Sequence, residues 1–135
     1  MRLSLGHAAV IAALVPTGLV AQRHQLTVAI NVSADTQFVA QIQSVLTREL
    51  RRFTDVAIAH QGDPRRFILS VSALPLRFYT EGQLRGIALS WVMADEHGVN
   101  HRAAVIRSDE LNLRLERIVA EFDTMFLDPA RSRGR

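Results

Sequence analysis

The sequence predicts an α+β domain, a mixed sheet of four to five strands in the order β-α-β-β-β-β-α with two helices on one face. Two kinds of periodicity carry this. Two segments repeat apolar residues every three or four positions, and several others alternate apolar with small or polar residues. Turn clusters such as Thr80-Glu81-Gly82-Gln83 and Asp95-Glu96-His97-Gly98 separate the later alternating segments, so those strands form an antiparallel meander.

In chain order, Leu26, Val28, Ile30 and Val32 alternate with Thr27, Ala29 and Asn31, predicting a strand from about Gln25 to Ser33. Asp35 or Ser33 then supplies a short side-chain oxygen to cap a helix. Phe38, Ile42, Val45, Leu46, Leu50 and Phe53 make that helix's apolar stripe, with Gln41, Gln43, Thr47, Glu49 and Arg51 opposite. Val56 to Ala59 is short enough for an edge strand, and His60-Gln61-Gly62-Asp63-Pro64 is a turn. Phe67 to Tyr79 predicts a longer strand, in which Pro75 points to an edge position or a bulge because it has no N–H to donate. Leu84 to Ala94 and about His101 to Arg107 complete the meander. Ser108 offers a cap, Asp109 and Glu110 suit the positive end of a helix dipole, and Leu111, Leu115, Ile118, Val119, Phe122, Met125 and Phe126 form the last apolar stripe, ending near Asp128-Pro129. If the first two strands are parallel neighbours, their crossover is expected to be right-handed.

The first 21 residues read differently. No charged side chain lies between Arg2 and Arg23, and the dense apolar run covers only Ala8 to Ala21. That is short for a bilayer, which needs about 20 apolar residues. Arg2, the apolar centre and the small residues toward Ala21 match a secretory signal, with cleavage after Ala21 or, as the alternative, between Ala13 and Thr17. The expected organisation is therefore a signal peptide over 1–21, one α+β domain over 22–128 and a disordered Arg-rich tail over 129–135. The expected location is periplasmic or secreted.

Composition excludes several function classes. Cysteine is absent, which removes disulfides, thiolate metal sites, a catalytic thiol and a lipidated cysteine as a direct lipid anchor. The sequence pI of about 10.9 suggests nucleic acid. However, all 16 basic residues are Arg, and between Gln22 and Asp128 there are 12 Arg against 13 Asp and Glu. Without a basic face or interleaved aromatic residues, no nucleic-acid partner is expected.

Glu96, His97 and His101 are the metal candidates, since a carboxylate and two imidazoles can hold zinc or copper. Gly98 between the histidines marks a turn, where residues four apart need not converge, so no metal and no cofactor is expected. Arg48, Arg51, Arg52, Arg65 and Arg66 are candidate interaction residues for an anionic group or acidic partner, and Phe78 and Tyr79 are candidate exposed aromatic contacts. Against the Arg cluster stands a plainer role, complementing a helix carboxyl end and flanking a turn. Trp91 falls in the apolar phase with Ile87 and Leu89 and belongs to the core. Ser70, Ser72 and Ser90 are small strand residues without a nucleophile motif, and no paired carboxylates or phosphate loop are visible, so no enzyme activity is expected.

Leu50 to Ile58 (LRRFTDVAI), Arg66 to Ala73 (RFILSVSA), Ile87 to Asp95 (IALSWVMAD) and the closing helix Leu111 to Phe126 together resemble the amino-terminal domain of TolB and the related domain of curli-secretion lipoproteins. The resemblance spans about residues 25 to 127. It implies a periplasmic domain that serves protein contacts, and no functional residue is carried over. The combined expectation is an exported, non-enzymatic protein-interaction domain of the bacterial cell envelope. It would act on an envelope protein partner or by self-association, through its open sheet face or a sheet edge at Val56 to Ala59 or around Pro75. The alternative is a small-ligand or metal-binding periplasmic protein.

Overall fold

A computed structural model of the chain describes residues 25–60, 62–64, 66–77 and 84–134. The expected signal segment, Arg65, Phe78 and Tyr79 lie outside the described residues.

Strand β1 (Leu26–Ala34) leads through Asp35 into helix α1 (Thr36–Leu50). Asp35 caps that helix, its carboxylate accepting from the Gln37 N–H at 3.4 Å. Strands β2 (Val56–Ile58), β3 (Phe67–Arg77), β4 (Leu84–Asp95) and β5 (Gly98–Ile106) follow. A 3-10 turn over Ser108–Glu110 then opens helix α2 (Leu111–Phe122). The five strands form one mixed sheet in the order β2-β1-β3-β4-β5. β1 runs parallel to both β2 and β3, and β3, β4 and β5 are the expected antiparallel meander.

One strand phase meets the helices. Leu26 and Val28, Phe67, Leu69 and Val71, and Ile87, Leu89, Trp91 and Met93 are buried with the stripes of α1 (Phe38, Ile42, Val45, Leu46, Leu50) and α2 (Leu111, Leu115, Ile118, Val119, Phe122). Full burial of each large apolar side chain contributes about 1.5–3 kcal/mol, which is why a sheet with one covered face suffices for this core.

Four local expectations are corrected. Strand β3 is central, between β1 and β4. Pro75 is tolerated there because β1's pairing ends at Ala73, so the side facing β1 no longer requires its missing N–H. The register does shift next to it, between Leu76 and Arg77. β5 begins at Gly98, because the Asp95 carboxylate closes a tight turn by accepting from the N–H groups of His97 (2.8 Å) and Gly98 (2.9 Å). Ser108 is not the cap: Glu110 reaches back to the Arg107 N–H at 3.3 Å, making Arg107 the boundary residue.

The fourth correction concerns the tail. The last helix does not stop near Pro129. A π turn over Asp123–Leu127 joins α2 to helix α3 (Asp128–Arg133). The Asp128 N–H donates to the Asp123 carbonyl five residues back, and this wider turn lets Pro129 enter the first turn of α3, where its lack of an N–H is harmless. Arg131 then ties α3 down. Its guanidinium forks onto Asp55 (2.6 and 3.1 Å), reaches Asp123 (2.6 Å) and Asp128 (2.7 Å), and lies 5.4 Å from the centre of the Phe53 ring.

Candidate functional site

Among the described residues, α1 and α2 cover one face of the sheet and no element covers the other. β1, β3, β4 and β5 contribute alternate residues to it, arranged by register in rows across the strands. Ala29, Ile68, Ala94 and Val99 make one row, and Asn31, Ser70, Val92 and His101 the next. Ser33, Ser72, Ser90 and Ala103 make the third, and Leu74, Ala88 and Val105 continue the last three strands. Thr27, one step back along β1, shares the phase. None of these is Asp, Glu or Arg, and His101 is the one titratable group among them.

An antiparallel sheet that merely faces water alternates apolar-in with polar-out. Here half of these outward residues are Ala or Ser, with Leu74 64%, Val99 72% and Val105 72% exposed. Leu74 and Val105 flank Ala88 in one row, about 10 Å apart by strand spacing. Around them lies an open depression of about 780 Å³, lined by Ser33, Ser72, Leu74, Ala88, Ser90 and Val105 among others. Asn31 Nδ2 donates to Ser70 Oγ at 3.2 Å, satisfying part of the polar middle row. The strand positions of this surface are small-featured and uncharged, properties suited to close approach by another backbone or sheet, and Asp35 after β1 borders the depression.

The residues singled out from sequence fall elsewhere. Glu96 and His97 adjoin one another at 3.4 Å in the exposed β4–β5 turn, while His101 lies further along β5 on the open face, opposite Val92. Among the described residues no three His, Asp or Glu side chains converge as a metal would require. Arg48 and Arg52 both turn onto the buried carboxylate of Glu49, Arg48 at 2.8 Å and also 3.2 Å from Glu116 on α2. These contacts offset part of the charge of the two arginines, whose side chains stay 54% and 67% exposed. Arg51 ends α1 and is exposed, and Arg66 stands beside β3 near Asp95 and Glu96. Arg48, Arg51 and Arg52 close α1 and Arg66 opens β3, and both segments lie at the end of the sheet where β1 begins.

Trp91 is in the core, as its phase requires. Its Nε1 and the Asn100 Oδ1, a donor and an acceptor on neighbouring strands, are buried without a partner among the described residues. Arg131 holds the Asp55 carboxyl below its ordinary value of 3.8, the hydrogen bond outweighing the effect of burial. The same carboxylates push the Arg131 guanidinium further up. This cluster fastens α3 to the α1–β2 connection and its groups are already paired.

The open face was only partly legible beforehand. Ser70, Ser72 and Ser90 stood out as small strand residues, but their alignment with Ser33 depends on a crossover pairing of β1 with β3 that no local pattern states. The usable signal was negative: the outward phase of every long strand lacks charge.

No protein-family model matches the chain, and no curated protein matches it. Several solved structures overlay on most of it, three of them as follows. A PelC dodecamer from Paraburkholderia phytofirmans does so with a TM-score of 0.45 at 16% identity, over 75% of this chain and 85% of that one. Rare lipoprotein B from Shewanella oneidensis has a TM-score of 0.29 at 14% identity, over 78% and 96%. An uncharacterized lipoprotein B from Nitrosomonas europaea has a TM-score of 0.25 at 13% identity, over 79% and 84%.

Proposed function

We propose that this chain is an exported, non-enzymatic protein-interaction domain of the bacterial cell envelope, and that it meets its partner through the open sheet face. The observation that carries the reading is the uncharged outward phase shared by β1, β3, β4 and β5, fringed by Leu74, Val99 and Val105. Interface centres are depleted of charge in the same way, and exposed apolar groups gathered on one face mark contact surfaces. Export is supported by the leader-like run ending at Ala21. A non-enzymatic role is supported by the neighbours of the serines: Ser33, Ser70, Ser72 and Ser90 each face Asn, Ser, Val or Ala across the strands, with no base in direct register. The depression is open along its length, which favours a flat macromolecular partner over an enclosed small ligand.

Capture from envelope extract tests this. The wild-type chain is expected to retain a stoichiometric protein partner that the S72R/S90R variant loses and R117E, altered on the exposed side of α2, keeps. Absence of a stoichiometric partner, or capture indifferent to S72R/S90R, would overturn the reading.

A further inference from the structure

The two edges of the sheet are treated differently. β2 is three residues long, and a short edge strand offers little to pair with. β5 is nine residues long, ends the sheet on the other side, and among the described residues no element borders it there. The usual protections are also missing. β5 contains no proline, its register with β4 runs unbroken from Ile106 to Gly98, and its one formal charge, Arg102, points to the helix side. There Arg102 is drawn back onto Glu121 at 2.8 Å. A long, regular, nearly uncharged edge pairs readily with another strand.

The sequence of β5 further specifies which strand. Gly98-Val99-Asn100-His101-Arg102-Ala103-Ala104-Val105-Ile106 is centred on Arg102, and its two most exposed apolar residues, Val99 and Val105, both 72% exposed, stand three positions to either side. An antiparallel copy rotated about Arg102 sets Val99 against Val105 and His101 against Ala103, twice each, on the open face. On the helix side it sets Asn100 against Ala104 and brings the two Arg102 side chains together. Each of these is paired with its own Glu121 at 2.8 Å, which offsets the like charge brought together at the axis. The same patch meets itself, as an isologous two-fold contact requires.

We propose that β5 is a homodimerisation edge: two copies of this chain join their β5 strands antiparallel about Arg102, making one continuous ten-stranded sheet. The proposal does not depend on what docks on the open face, since that face stays uncovered in such a dimer. Pairing along one strand buries less than the roughly 1,200–2,000 Å² of a standard interface, so the association is weak, with a dissociation constant on the order of 10–100 μM.

The chain's lack of cysteine allows a register-specific test. In the V99C/V105C variant, oxidation or a short bifunctional thiol reagent is expected to give a covalent dimer, because the two positions face each other across the axis. V99C and V105C alone are expected to stay uncrosslinked, since each residue then lies about 20 Å from its own copy. Sedimentation of the unmodified chain is expected to show reversible dimer, and V105E to weaken it at least about tenfold through the two cross-strand pairs it breaks. Melting temperature confirms that V105E is folded. A monomer up to about 1 mM, far above the dissociation constant expected for so small a contact, overturns the proposal. So does single-cysteine crosslinking as efficient as that of the pair. Neither outcome bears on whether the open face captures a partner.

Discussion

Arg131 shows how much one side chain can decide. By sequence it sits in an Arg-rich stretch that reads as a solvated end, yet it is the meeting point of Asp55, Asp123 and Asp128. Hydrogen bonds to charged groups contribute about 1.5–3 kcal/mol, and those at Asp55 and Asp123 are sheltered from solvent. Arg131→Ala is therefore expected to cost about 2 kcal/mol in urea unfolding at neutral pH. The pH dependence has a definite sign. Because Asp55 is depressed below 3.8 in the folded chain, its contribution is fully present above that value and is lost as pH falls through the folded value. The gap between wild type and Arg131→Ala should accordingly close below pH 3.8. A gap that is constant from neutral pH to pH 3 would deny the pairing. No local sequence pattern shows this cluster, since Asp55 and Arg131 are 76 positions apart.

Among the elements, those whose determinants are local were legible. β1 and α1 follow from alternation, a capping aspartate and a three-to-four repeat, and β2 from its brevity. Where prediction missed, a neighbour had changed the local rule. Pro75 is acceptable in a central strand because its partner on one side has run out, and Pro129 is acceptable in a helix because a π turn precedes it. The β4–β5 hairpin shows a similar dependence at Gly86. A Cβ there would lie 2.9 Å from the backbone oxygen of Ile106, so the two strands approach at a distance only glycine allows. Gly86→Ala is expected to destabilise the chain by about 1–3 kcal/mol, with faster amide exchange along β5 than in α1. Unchanged melting would mean that the strands can separate there without penalty.

At the scale of the whole molecule, the division of labour between the sheet's two faces is the main result. The covered face was readable from apolar phases alone. The open face was not, because a surface is defined by which strands lie side by side, and the order β2-β1-β3-β4-β5 places β3 beyond β1 by a connection that sequence periodicity does not encode. Of the candidate residues chosen for their chemistry, Glu96 and His97 lie in the β4–β5 turn, and Arg48 and Arg52 pair with Glu49. The surface proposed for function is instead made of residues without reactive groups. The same outward phase also runs to the exposed edge of β5, so a dimer through that edge would extend the uncharged face across both copies.

The most direct measurement of the central claim is methyl NMR of the chain, labelled at Ala, Leu and Val, titrated with its captured envelope partner. The open-face account predicts that the methyl signals of Ala88, Ala103, Leu74 and Val105 shift or broaden together while Ala40 on α1 and Leu113 and Ala120 on α2 stay in place. Shifts confined to the helix methyls, with Ala88 and Ala103 unmoved, would contradict it.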